Sequence, residues 1–333
     1  MFRIQDILAC PICLAALSIC ENGALCERCG IEYPHNGEIP SFICREMYPS
    51  DEAYTKAIKV IEFWGKGWEK RLSEPDHDYI FLLDKEGIKK YIEDDVQFHN
   101  QNHFLITYEL DLHNIHGKIA LNIGCGAGNE SLILAYYGAH CIGMDITVQA
   151  ADAANRLMKK VGTNGYGIQG DARFLPLESE SIDLIYSSGV LHHSPDIRRS
   201  VKEIHRVLKP GGHAYIMLYA RWSLMFMQQR IIGFLKGYLR REQQNRYMAE
   251  SGERDWQTES RKNPHTDTFT KAECAALFKN FRKVQVRKGS FSLGQLAMIG
   301  KIIPVDRLGR FSKKYLHFLG PYAGACVFID AEK

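Results

Sequence analysis

From residue 119 onward, short apolar runs alternate with stretches whose apolar positions recur every three or four residues. Ile119–Ile123, His140–Gly143, Tyr166–Gln169, Ile182–Tyr186 and His213–Leu218 read as strands. Glu130–Tyr137, Val148–Val161 and Asp196–Leu208 between them read as helices. Strands that alternate with helices predict βαβ units and a mostly parallel sheet, an α/β fold. Residues 221–247 predict one long helix with Leu224, Met227, Ile231, Phe234, Leu235 and Tyr238 on one side. Residues 248–268 are polar and loop-like. A helix (Lys271–Lys279), a strand (Val284–Arg287), an irregular stretch (290–320) and a final strand (Ala325–Ile329) follow. Upstream, residues 46–118 are charged and helically spaced, and residues 1–45 are dense in turn formers. The pattern divides the chain into a small unit at 1–45, a helical cap or linker at 46–118, and a main domain at 119–333 with insertions at 221–268 and 290–320.

Composition narrows this little. The 333 residues are 45% apolar and 24% charged, which excludes collagen-like and wholly disordered chains. The N-terminus has no basic segment leading into a long apolar run, and no apolar run reaches ~18 residues. The expectation is a cytoplasmic chain with reduced cysteines and no spanning helix. Charge is uneven. Residues 1–120 hold 12 basic against 20 acidic side chains, and residues 221–333 hold 21 against 10. The basic last third either faces an anionic partner (nucleic acid, lipid headgroup, phosphorylated substrate) or packs against the acidic first third.

Six of the ten cysteines fall in residues 1–45. Cys10-Pro-Ile-Cys13 and Cys26-Glu-Arg-Cys29 are two tight turns, each able to aim two thiolates at one point, and four sulfurs suit a structural Zn²⁺. So small a unit cannot bury enough core to fold alone, and a metal supplies the missing stability. The alternatives are two unrelated turns or a redox pair. Together with Tyr33-Pro34 and Gly37-Glu38-Ile39-Pro40, these knuckles resemble the zinc-ribbon family that binds and activates methyltransferases acting on RNA and on translation factors. The resemblance covers about the first 43 residues.

Ile119-Ala-Leu-Asn122-Ile-Gly124-Cys-Gly126-Ala-Gly128 is a buried strand running into a glycine loop, with a helix starting near Asn129. Gly124 and Gly126 let the backbone turn sharply against a ligand, and the helix amides favour an anionic group. The third glycine stands at 128 where a dinucleotide fingerprint wants it at 129, and no Lys-Ser/Thr follows as in a phosphate-binding P-loop. Asp145 ends the next strand and can accept both hydroxyls of a ribose, and Ile146 can pack on an adenine. Asp171-Ala172 follows the third strand and can meet the adenine amino group. The fourth strand, through Ser188, closes the site and leads to His192-His193. Read singly, the glycines are plain turns, Asp145 a surface carboxylate and Asp171 a helix cap.

In order, these segments resemble the class I S-adenosylmethionine-dependent methyltransferases, closely over 119–219 and loosely to 333. Asn122 stands where that family has an acid. The resemblance implies a Rossmann-like, doubly wound seven-stranded sheet with an antiparallel last strand. It also implies S-adenosyl-L-methionine held by Asn122, Gly124, Gly126, Gly128, Asp145, Ile146, Asp171, Ala172 and Ser188. An activated methyl needs mainly an aligned nucleophile and a dry site, and His192 or His193 is the candidate base where a proton must leave. The other reading makes either histidine a packed or capping residue. Trp64, Trp68, Phe98, His99, His103 and Phe104 line an acceptor pocket or form core. Helix 221–247, ringed by Arg221, Arg230, Lys236, Arg240 and Arg241, is either a lid at a lipid surface or a helix packed on the domain. The favoured acceptor is a small molecule of metabolite, sugar or lipid type. The alternatives are RNA, and a non-catalytic scaffold that keeps the cofactor fold.

Overall fold

The structure is a computed structural model that describes residues 3–20, 22–74, 79–163, 165–240, 243–244, 247, 263–291 and 315–333. The first strands, β1 (Ser18–Cys20), β2 (Gly23–Cys26), β3 (Ile31–Asn36) and β4 (Ile39–Pro40), form an antiparallel four-stranded sheet between the two cysteine turns and the linker. Two long helices follow. Helix α1 (Asp51–Leu72) starts where Ser50 Oγ accepts from the Ala53 amide, and α2 (Lys85–Gln101) where Asp84 caps the Gly87 amide.

The main sheet holds β5 (Ile119–Ile123), β6 (His140–Asp145), β7 (Tyr166–Gln169), β8 (Ile182–Ser188), β9 (Leu208–Tyr219), β10 (Lys283–Gly289) and β11 (Cys326–Glu332). Its order is β10-β11-β9-β8-β5-β6-β7, with β11 antiparallel to both neighbours and the other pairings parallel. This is the mixed seven-stranded sheet that the resemblance implied. Neighbouring residues of β5 face opposite cores. Leu121 and Ile123 join α5 (Ile197–Val207) and the N-terminal unit, whereas Ala120 joins α2, α3 (Asn129–Tyr136) and α4 (Val148–Lys160). Helices α6 (Leu224–Leu235) and α7 (Lys271–Leu277) follow β9.

The N-terminal unit is not an appendage. Cys10, Cys26, Tyr33 and Phe42 share one apolar core with Ile168, Leu175 and Leu177. The Ala9 amide donates to Pro176 O at 3.0 Å, and the Phe42 amide to Gln169 O at 2.9 Å, so the chain after β4 pairs with edge strand β7. An otherwise open sheet edge is thereby covered.

Two local expectations are corrected. Residues 221–247 are not one helix: α6 ends at Leu235, and Gly237 takes φ 87° while Tyr238 N bonds Gly233 O, a glycine stop that the apolar spacing ran across. Strand β9 begins at Leu208 rather than near 213, because Lys209–Gly212 are drawn into the sheet through an irregularity opposite Ile182–Leu184, with Gly211 N bonded to Lys333 O. Most of the expected insertion at 290–320, and Arg241 of the basic ring, lie outside the described residues.

Candidate active site

The carboxyl ends of β5, β6, β7 and β8 open into a cavity of about 670 Å³, walled on the far side by Trp64 and Trp68 of α1. It sits where the strand order reverses beside β5, the place at which open α/β sheets take ligands. Phe98, His99 and Phe104 do not reach it. They pack on one another, and Phe104 lies 6.0 Å from the Phe328 ring. His103 sits instead against Tyr108, at 5.1 Å.

The loop after β5 brings backbone to the cavity wall. Gly124 N and Cys125 N both donate to Met144 O, at 2.7 and 3.1 Å. At Gly126 (φ 54°) a Cβ would come within 2.7 Å of the Trp68 ring. Gly128 (φ 96°) does different work: a Cβ there would lie 2.6 Å from Ala154 Cα, so its bare backbone lets α3 settle on α4. Gly124, Gly126, Asp145, Ile146, Asp171, Ala172 and Ser188 line the cavity. Asn122 is beneath it, buried, with Nδ2 donating to Ser131 Oγ at 2.9 Å.

Asp145 is fixed before any ligand arrives. Its Oδ1 accepts from Thr147 N and Oγ1 at 2.9 Å each, and its Oδ2 from Gly126 N at 3.2 Å. Burial pushes this carboxyl up, and those donors pull against the rise. Asp171 is held more tightly. Arg173 forks onto both its oxygens (Nη2 to Oδ2 at 2.6 Å), and Tyr48 Oη donates to Oδ2 at 3.1 Å. A carboxylate has about four lone-pair directions, and these donors take them up. Asp171 therefore acts on the 170–173 turn that presents Ala172 to the cavity.

The two adjacent histidines part company. His193 lines the cavity beside Trp64, with ring centroids 4.9 Å apart. Its Nδ1 lies 2.9 Å from His265 O and 3.1 Å from Thr266 Oγ1, which itself accepts from Asn263 Nδ2 at 2.9 Å. The His265 carbonyl only accepts, so its contact favours the tautomer with the proton on Nδ1, against the Asn263 amide, whose Nδ2 stands 3.4 Å from the same nitrogen. His192 is turned into the core against Tyr219 at 3.7 Å, fully buried, with neither ring nitrogen hydrogen-bonded. Burial pushes it well below its ordinary value, so it stays neutral.

Sequence reasoning missed the partners. Arg173 and Glu130 sit within the motifs read, but nothing in a pattern says that they reach the cavity. Burial pushes the Glu130 carboxyl up to about 7. Asn263-Pro-His-Thr266 falls in the stretch that reads as polar and loop-like, and nothing in its spacing shows that it clamps His193.

At the other end of the chain, the sulfurs of Cys10, Cys13, Cys26 and Cys29 all lie within 4.8 Å of one another. Tyr33 Oη stands 3.2 Å from Cys10 Sγ in the buried core. Tetrahedral Zn–S bonds of about 2.3 Å put sulfurs about 3.8 Å apart, so the four thiols fit one such ion.

Residues 121–216 match the family of methyltransferase domains. The matched segment carries the glycine loop and Glu130, Asp145 and Asp171 of the cavity, whereas Trp64, Trp68 and Glu74 of its wall lie outside it. The chain is 37% identical over 93 residues to an uncharacterized methyltransferase, YcgJ, of Bacillus subtilis, covering 28% of this chain and 37% of that protein. It is 31% identical over 169 residues to a chloroplastic tocopherol O-methyltransferase of Arabidopsis thaliana, covering 49% and 46%. The crystal structure of YcgJ superposes with a TM-score of 0.44 at 20% identity, over 66% of this chain and 94% of that one. The chain spans about a third to just under half the length of the curated relatives it matches first.

Proposed function

We propose that the chain is an S-adenosylmethionine-dependent methyltransferase acting on a small-molecule acceptor of metabolite, sugar or lipid type. The observation that carries this reading is the bond from Gly126 N to Asp145 Oδ2, which ties the bare glycine loop and the strand-end acid into one wall of the cavity. The residues fit the cofactor. The glycine loop lines the cavity that would take a methionine moiety, with Val190 and Trp68 against its bare α-carbons. Asp145 at the strand end would meet a ribose hydroxyl, and Ile146 and Ala172 would offer apolar faces to an adenine.

When bound, that cofactor supplies a methyl group already activated on sulfur. The chain's own part is alignment and exclusion of water. Trp64 and Trp68 cover the cavity from α1. His193, with its proton held at Nδ1 by His265 O, offers Nε2 to an acceptor that must lose a proton. His192 is assigned no chemical part. The four N-terminal cysteines are assigned to a structural zinc, with no open position for catalysis. A tocopherol O-methyltransferase and a sterol 4-C-methyltransferase among the relatives favour an apolar small acceptor.

Titration calorimetry with S-adenosylmethionine tests the reading. The native chain should bind in the micromolar range, and Asp145→Ala should weaken binding ~100-fold, the loss of a charge-assisted contact in a dry site. Folded protein that takes up no cofactor excludes the enzyme and leaves a scaffold.

A further inference from the structure

We propose that the outward face of α6 docks on an anionic lipid surface; that the acceptor is an apolar molecule drawn from that surface rests in addition on the methyltransferase reading.

Helix α6 is built inside out for a protein in water. Phe226 and Gly233 face the domain and are buried. Met227, Ile231, Phe234 and Leu235, at i, i+4, i+7 and i+8, are 44%, 60%, 62% and 78% exposed. A surface helix packed on a domain turns that stripe inward. The apolar face continues past both helix ends, to Trp222 and Leu239, which are also exposed. It extends sideways to exposed Tyr322, because Lys288 Nζ donates to the carbonyls of both Trp222 (2.7 Å) and Tyr322 and holds the two segments together. Apolar side chains scattered singly need no explanation, but four exposed ones on a single stripe of one helix mark an interaction surface.

Charge selects the occupant. Residues 221–241 contain five Arg or Lys and no Asp or Glu. Arg221 is taken by Glu273 at 2.7 Å. Arg230 is held too, its Nη2 donating to Thr268 Oγ1 at 3.2 Å and its guanidinium 5.8 Å from the Trp222 ring, whereas Lys236 and Arg240, which follow the apolar stripe, are exposed. A second copy of the chain would meet this rim with the same positive rim, which is unfavourable. Anionic headgroups around an apolar interior match both parts, with Trp222 suited to the boundary between them. Among the described residues no helix is long and apolar enough to cross a membrane, so the fit is to a surface. Docking there serves the cavity: Phe226 packs 5.2 Å from Tyr219, which lines it, so the lipid-facing helix begins at the cavity wall.

The test is sedimentation of the full chain with vesicles of phosphatidylcholine alone, or with about 30% phosphatidylglycerol. Binding to the anionic vesicles, little to the neutral ones, and weakening at about 0.5 M salt are expected. The double variant Ile231→Asp/Phe234→Asp should bind at least ~10-fold more weakly. Neither position lines the cavity, so the variant should keep its calorimetric affinity for S-adenosylmethionine, which also shows it is folded. Absence of binding to anionic vesicles, or equal binding by the variant, overturns the proposal. So does a dimer that the same variant dissolves, since the face then belongs to a second copy, or an acidic protein that competes the vesicles off. Vesicle binding by a chain that takes up no cofactor would leave the surface standing and remove the methyltransferase reading alone.

Discussion

The hydroxyl of Tyr48 donates to Oδ2 of Asp171 at 3.1 Å, joining the segment after the cysteine-bearing unit to the turn after β7. Both side chains are buried, and Arg173 lies against both, bonded to the acid and 5.4 Å over the tyrosine ring. Tyr48→Phe removes one donor from a buried charge. The expected cost is about 1–2 kcal/mol of stability, with a several-fold loss in cofactor affinity as the 170–173 turn loosens. Thermal unfolding and calorimetry measure the two. Unchanged affinity would confine the contact to stability.

His192 should weaken the protein in acid. It is buried neutral, and the unfolded chain takes a proton below about pH 6.5 that the native state does not. Stability should therefore be present above that pH and fall as the pH drops through it. His192→Leu removes this loss and two buried nitrogens without partners. Relative to the native chain it should gain about 2 kcal/mol on moving from pH 7.5 to pH 5, read from urea unfolding at each pH.

Glu130 acts in the opposite sense. With its carboxyl at about 7 in the native state and near 4.5 when unfolded, the folded chain holds the extra proton between those values. Its contribution should make stability fall as pH rises through that window. Glu130→Gln should flatten the fall and stand about 1–2 kcal/mol above the native chain at pH 8, discounted because the side chain lines an open cavity. Identical pH profiles for the two proteins would refute the shift.

The proton on His193 can be located directly. In ¹⁵N-histidine spectra its neutral form should show protonated Nδ1 and bare Nε2, since His265 O accepts from Nδ1. Thr266→Val and Asn263→Ala should broaden or shift that signature while leaving the chain folded. The opposite tautomer would remove Nε2 as proton acceptor.

Metal analysis should find a single zinc per chain. Cys10→Ser should release it and lower the unfolding midpoint of the whole chain in one transition, because the ribbon and the main sheet share a core. Tyr33→Phe should keep the fold and weaken zinc ~10-fold through the lost contact to Cys10 Sγ. A metal-free protein with native stability would show the knuckles to be plain turns.

Patterns of period and punctuation made much of the fold legible. The strands from β5 to β8 were readable because buried parallel strands are short continuous apolar runs ending in Gly or Asp. The two CxxC turns and the glycine loop were readable for a similar reason: each packs its chemistry into a few consecutive residues. Where one residue overrules a longer pattern, the reading failed. Gly237 stops α6 in mid-period, and the Lys209–Gly212 stretch enters β9 despite its turn-forming residues.

What no local pattern contains is which distant side chains meet. His192 and His193 are neighbours with the same chemistry on paper. The pairing of Asp267 N with His192 O and the turn around Thr266 put one ring in the cavity and the other in the core. Tyr48 and Asp171 are likewise separated by 123 residues in sequence and by one hydrogen bond in space. The outward stripe of α6 shows the same division. Its helical period is written in local spacing, but the face that turns to solvent follows from the packing of Phe226 on Tyr219. Local spacing carries backbone preference and periodicity, whereas the environment that shifts a proton or exposes a stripe is made by residues brought together only when the sheet closes.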